Sequence, residues 1–229
     1  MDGSGAGVAP PTGTPSGPVR ARGAAGAVIA PFLLTALLVE LTPGPNMGWL
    51  ALLGAMRGRK VALVAVAGIA TGLAVAGLAA AIGLAALVTA MPSLFHALRL
   101  AGVAYVLWLA YDTWRGDGAD GAAPPDQPLG RFFLQGVISN ILNPKAYLFY
   151  IAFLPQFIET GAPELPQFLT LAGLYVLVAS GVHAGIAIAA GTFAGWLSGG
   201  TRALLARRVA AMFLVGLAVW FLISTRSFS

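Results

Sequence analysis

The sequence predicts an all-α integral membrane protein with six transmembrane helices, arranged as an inverted three-plus-three repeat whose first and fourth helices are broken. Composition is the first reason. Of 229 residues, 58% are hydrophobic and only 9% are charged, with a mean hydropathy of +0.84; water-soluble domains carry about 25% charged residues. The second is a pair of interruptions. Thr42-Pro43-Gly44-Pro45-Asn46 cuts one long apolar run, and Asn143-Pro144-Lys145-Ala146 cuts another in the second half of the chain. Proline has no backbone N–H and costs a helix interior about 3 kcal/mol. A bilayer tolerates such a break only where the freed backbone groups face protein or a water-filled cavity. One broken apolar segment in each half points to a transporter's substrate site. The third is the placement of Lys and Arg, which cluster in alternate connections.

The elements follow in order. Residues 1–23 are rich in Gly, Pro, Ala, Ser and Thr without apolar periodicity and read as a disordered tail. Residues 24–229 form the transporter domain. After Arg20 and Arg22 the apolar run resembles the core of a signal peptide, but no small-x-small cleavage pattern follows, and a retained helix is expected. The first span is 27–56, interrupted at 42–46. The second is 61–89, the Met91-Pro92-Ser93 turn follows, and the third is 94–111. A polar Gly/Asp/Pro-rich loop covers 115–130. The fourth span is 132–158, interrupted near Asn143. A turn at 159–166 leads to the fifth, 167–197, and the sixth is 209–224. A straight span needs about 20 residues, so the longer segments are tilted, broken or extend beyond the lipid.

Arg57, Arg59 and Lys60 follow the first span, Arg115 and Arg131 flank the 115–130 loop, and Arg202, Arg207 and Arg208 precede the sixth span. The positive-inside rule places these connections in the cytoplasm and both termini outside. The net charge of +5 is therefore a topology signal and not a nucleic-acid footprint. The absence of Cys excludes disulfides, thiol redox chemistry and Cys-ligated metals. Only His96 and His183 remain as imidazoles, far apart in sequence. Neither a metal centre nor a cofactor is expected.

Glu40 and Lys145 are the clear charges inside apolar segments, and each adjoins a break. Placing an ionised side chain at the bilayer centre costs about 2.5–3.5 kcal/mol on the lenient insertion scale. One reading is a coupling carboxylate and an anion-holding amine that lie close together in at least one transport state. The other is a structural ion pair joining the two broken helices, or a Glu40 held at the interface. Thr42-Pro43 and Asn143-Pro144 both read as an N-cap followed by proline at the first helical position, so each opens a half-helix whose free N–H groups suit a carboxylate. In that geometry Lys145 sits where the helix dipole disfavours a cation, and either Glu40 or a substrate carboxylate must offset it. The substrate and coupling candidates are thus Glu40, Thr42, Pro43, Gly44, Pro45, Asn46, Asn143, Pro144 and Lys145. Trp49, Tyr147, Tyr150 and His183 are candidates for lining the cavity or for ordinary packing. Glycines four apart (Gly68/Gly72, Gly181/Gly185, Gly191/Gly195) permit close helix contact, within the chain or across a dimer.

Glu40-Leu41-Thr42-Pro43-Gly44-Pro45-Asn46-Met47, Ala67-Gly68-Ile69-Ala70-Thr71-Gly72, Ala104-Tyr105-Val106-Leu107-Trp108-Leu109-Ala110, Asn140-Ile141-Leu142-Asn143-Pro144-Lys145-Ala146 and Phe153-Leu154-Pro155-Gln156-Phe157 together resemble the LysE/RhtB family of amino-acid exporters. The resemblance covers about residues 32–224. It implies a multi-pass inner-membrane exporter for amino acids or related metabolites, driven by protons, six-helical and often a homodimer. Its expected partners are therefore a small-molecule substrate, protons, lipid and a second copy of the chain. The competing classes are an uncoupled channel-like or signalling membrane protein and a membrane enzyme. The enzyme is the weaker, because no acid cluster, paired His or Cys is available for its chemistry.

Overall fold

The computed structural model describes residues 18–83, 92–115, 127–194 and 200–224, and among these the only regular structure is helical. The helices are α1 (Pro18–Leu41), α2 (Pro45–Arg57), α3 (Arg59–Ala81), α4 (Pro92–Arg115), α5 (Leu129–Ile141), α6 (Pro144–Leu148), α7 (Glu164–Gly191) and α8 (Gly200–Ser224). A π-helical turn, Phe149–Phe153, and a 3-10 turn, Leu154–Phe157, prolong α6. Among the described residues, α3 and α7 are each long and apolar enough to cross a membrane. The count rises to four if each bent pair is one span: Val28–Leu41 with Pro45–Arg57, bent by 65°, and Leu129–Ile141 with Pro144–Phe157, bent by 50°.

Both interruptions therefore lie where proline predicts them. Their local chemistry differs. Asn143 caps α6 as expected, its side-chain oxygen accepting from Lys145 N at 3.1 Å with Pro144 at the first helical position. The first break departs from the expected cap. Thr42 does not cap a new helix; its hydroxyl donates back to Leu38 O at 3.1 Å and its N–H to Val39 O at 3.2 Å, so it finishes α1. The new helix starts two residues later, at Pro45, after an extended Gly44. A residue before proline is pushed out of the α region, and the Gly44-Pro45 step thus wins over Thr42-Pro43 as the restart.

Boundaries shift elsewhere. α1 begins at Pro18, inside the segment read as tail, and α8 begins at Gly200 rather than 209. Residues 1–17 of the tail, 84–89 of the second span, most of the 115–130 loop, Met91, and Gly195 with the end of the fifth span lie outside the described residues.

Helices α3 and α5 run parallel and in close contact, because glycine leaves no Cβ between them. A Cβ at Gly68 would run into the Phe133 carbonyl, one at Gly136 into the Ala65 carbonyl, and one at Gly72 would stand 2.7 Å from Val137 O. Gly191 likewise lets α7 approach Arg59, where a Cβ would lie 2.7 Å from its N. Gly181 and Gly185 behave differently: nothing lies within 4 Å of their Cβ positions. They are exposed and meet no other helix among the described residues.

The parallel pair brings the starts of α3 and α5 to one end of the bundle. Arg131 there reaches Asp112 of α4 at 2.6 Å, Arg207 donates to the Arg115 carbonyl at 3.4 Å, and the Arg208 guanidinium lies 5.7 Å from the Trp114 ring centre. Arg115, Arg131, Arg207 and Arg208, far apart in sequence, thus gather at one end. Two apolar clusters fill the interior. One includes Trp49, Leu50, Leu53, Ala65, Val66, Ile69 and Ala187, toward the basic end. The other includes Phe32, Leu73, Phe149, Tyr150, Leu171 and Tyr175.

Candidate functional site

The two breaks lie side by side at the boundary between these clusters and enclose a small cavity. Glu40, Gly44, Asn46, Asn140, Lys145 and His183 are among its lining residues. Its volume is about 10 Å³, room for about one water. In this conformation the cavity is too small to hold an amino acid.

Glu40 sits in the last turn of α1, 4% exposed. Its Oε1 accepts a hydrogen bond from Tyr175 Oη at 2.6 Å, and its Oε2 lies 3.6 Å from His183 Nε2. Both partners come from one face of α7, where positions 175, 179, 183 and 187 are buried at helical spacing. A carboxylate at a helix C-terminus opposes the dipole, and the short phenol hydrogen bond offsets part of that penalty. Tyr175 in turn stacks on Phe149, with ring centres 3.6 Å apart. The π-helical turn turns both Phe149 and Tyr150 inward. It lies just before Pro155, whose missing N–H prevents a regular α-helix there.

Lys145 crosses from the second break to the first. Its Nζ donates to the Thr42 carbonyl at 3.0 Å, and its stem passes 4.0 Å from the Cβ position of Gly44. The charge expected to need Glu40 or a substrate anion as counter-ion is met instead by the carbonyl end of α1, where a cation is favoured. Glu40 and Lys145 border the same cavity, but no ion pair within 4.0 Å joins them. Each has taken the partner its own helix geometry offers.

A chain of side-chain hydrogen bonds fastens the breaks together. Ser139 Oγ donates to Asn46 Oδ1 at 2.6 Å, and Asn46 Nδ2 donates to Asn140 Oδ1 at 3.0 Å. All three residues are buried. On the other side of this chain a second small cavity is bordered by Pro45, Tyr105, Ser139, Asn143 and Pro144. Pro43 is exposed at the break.

Of the four cavity-lining candidates, only His183 borders the cavity between the breaks. Trp49 is buried in the apolar cluster toward the basic end, Tyr147 packs against the other cluster, and Tyr150 donates to Leu73 O at 2.9 Å. Tyr175, Ser139 and Asn140 escaped the sequence reading. Asn140 lay inside a quoted motif, and Tyr175 stands two helical turns before His183, a polar pair on an otherwise small-residue face. Among the described residues, no three His, Cys, Asp or Glu converge to hold a metal ion.

Tyr175→Phe is expected to weaken the fold, with an effect that does not add to that of Glu40→Gln. Residues sharing a buried hydrogen bond show interaction energies of about 0.5–3 kcal/mol. Unfolding of the single and double variants in detergent measures it, and additivity would mean that the 2.6 Å contact contributes nothing.

The LysE type translocator family model matches residues 37–225, which include both breaks and every polar residue of the cavity. Two curated relatives carry the description homoserine/homoserine lactone efflux protein. The one from Salmonella typhimurium is 33% identical over 170 residues, 73% of this chain and 82% of the relative. The one from Salmonella typhi has the same identity and coverage. The leucine efflux protein of Klebsiella pneumoniae is 32% identical over 168 residues, 71% of this chain and 78% of its own. No solved structure matches the chain. With most of its length inside that family model and its two helix breaks closing on one buried polar centre, the chain belongs to the LysE type translocators, which are membrane transporters and not enzymes.

Proposed function

We propose that this protein exports amino acids or closely related metabolites across the inner membrane, driven by the proton gradient, through alternating access to the cavity between the breaks. The observation that carries the reading is the enclosure of Glu40, Lys145 and His183 in one closed cavity where two broken helices meet. The descriptions of the relatives as homoserine, homoserine lactone and leucine efflux proteins support the substrate class. Glu40 is the proton-exchanging group, Tyr175 and His183 hold it, and Lys145 with the Asn46 chain keeps the two halves in register. An open channel needs a continuous aqueous path. The closed cavity, with an apolar cluster on either side, favours a carrier.

The architecture behind this reading is six spans in two inverted halves: α1–α2, α3 and α4, then α5–α6, α7 and α8. The approach of the two bent pairs at their breaks supports it. The gathering of Arg131, Arg115 and Arg207 at one end supports a cytoplasmic assignment of that end. Reporter fusions at Ser229 and within 117–126 are expected to give outside and cytoplasmic signals, respectively. A cytoplasmic signal from both would remove the six-span topology. The function itself is tested by a metabolite survey of the medium after overexpression, then by transport in proteoliposomes with and without a pH gradient. Wild-type protein that moves neither leucine nor homoserine would remove the exporter reading.

A further inference from the structure

Asn140 is 2% exposed and borders the cavity. Its side chain is held at one end only. Ser139 has a single hydroxyl hydrogen and gives it to Asn46 Oδ1, which leaves the Asn46 amide nitrogen to donate to Asn140 Oδ1. The Asn140 Nδ2, with two hydrogens to donate, has no acceptor among the described residues. Buried polar groups in native proteins are nearly always hydrogen-bonded, and an orphan donor calls for a missing partner. Lys145 borders the same cavity and uses one N–H on the Thr42 carbonyl, leaving two. Glu40 lines the same cavity. Its two oxygens offer about four acceptor positions, of which Tyr175 fills one. One small cavity is therefore lined by spare donors, a cation and a carboxylate with spare acceptor capacity.

We propose that Asn140 Nδ2 and Lys145 together hold the carboxylate of the substrate while Glu40 holds its ammonium group, so that Asn140 makes the site selective for the amino-acid head group. The inference rests on the exporter reading and names the residue that reads the substrate. A hydrogen-bonding site rejects an analogue lacking the matching group strongly, because its own buried polar atoms are then left unpaired. An apolar side chain is read far less sharply. The closed cavity admits about one water, so binding accompanies an opening between the breaks. The Asn46–Asn140 bond keeps the amide oriented toward the ligand.

The test is binding of leucine and of isoamylamine, the same carbon skeleton without the carboxylate, to the purified full-length protein, read by thermal shift and by competition against labelled leucine. Leucine is expected to bind wild type more tightly than the amine by at least about tenfold, a floor well below the discrimination of about 10⁴ that a fully hydrogen-bonded group can reach. Asn140→Leu and the near-isosteric Asn140→Asp are expected to lose most of that preference. Asn140→Asp keeps the shape and exchanges the donor for an oxygen, so it carries the test if Asn140→Leu fails to fold. Equal binding of leucine and amine by wild type would overturn the inference without any variant. So would a folded Asn140 variant that keeps the wild-type preference, which is the outcome if an ordered water satisfies Nδ2. Binding of neither leucine nor homoserine to wild type would overturn this inference and the exporter reading together. Wild type that binds leucine but shows no preference over the amine overturns this one alone.

Discussion

Glu40→Gln is expected to abolish pH-driven export while leaving the protein inserted and folded. Wild-type export should accelerate as the outside is made more acidic than the inside, because the gradient then loads the carboxylate from outside and empties it inside. Glutamine fills the same volume and still accepts from Tyr175, but it cannot exchange a proton, so its transport should be flat with pH. Coupling free energies between sites are about 1–3 kcal/mol, a factor of about 5–150, and a loss of that order in gradient-driven accumulation is expected. Exchange of substrate without a gradient should persist at a reduced level, because the amide still accepts hydrogen bonds but no longer carries the charge that faces the substrate ammonium. Proteoliposomes with an imposed pH step separate the two. A variant that accumulates substrate as wild type does would make Glu40 structural and move the coupling role to His183, whose Nε2 lies 3.6 Å from it.

Gly68→Leu should deplete folded protein more than any single change outside the polar centre. At this position even a Cβ would overlap the Phe133 carbonyl, a backbone atom that moves only if α3 and α5 separate. Overpacking costs about 1–3 kcal/mol when side chains can yield, and more when they cannot. Separation would also disturb the site, because the same interface carries Asn140 beside Gly72. Gly181→Ala provides the contrast. Nothing lies within 4 Å of its Cβ position, and alanine in a helix interior is worth about 0.5–1 kcal/mol over glycine. It should therefore be neutral or mildly stabilising. Fluorescence-detected size exclusion and melting temperatures read both. Equal tolerance at the two positions would mean that the α3–α5 approach is looser than described.

Much of this was legible in the sequence because it follows from local chemistry. Apolar composition requires helices wherever backbone groups cannot reach water, and proline marks where those helices break. Asn143 shows this at the finest scale: its cap of Lys145 N follows from an Asn-Pro step alone. Gly68 and Gly72 also met their expected partner, another helix. Gly181 and Gly185 have the same spacing and met none, because a four-residue repeat specifies one face of a helix but not which way that face turns.

The polar centre was legible only in its membership. Glu40, Asn46 and Lys145 stood out as polar groups that lipid cannot accommodate. Their pairing depended on where α7 passes, a matter of packing between segments more than a hundred residues apart. Tyr175 and His183 reach Glu40 before Lys145 can, and the carbonyl end of α1 takes Lys145 instead. The sequence by itself determined that this is a membrane transporter with two broken helices and buried charges, since those properties follow from the cost of exposing backbone and charge to lipid. Only the tertiary structure decided which charge faces which partner and which amide end of Asn140 is left open, because hydrogen bonds between distant segments are chosen by helix packing at ångström scale.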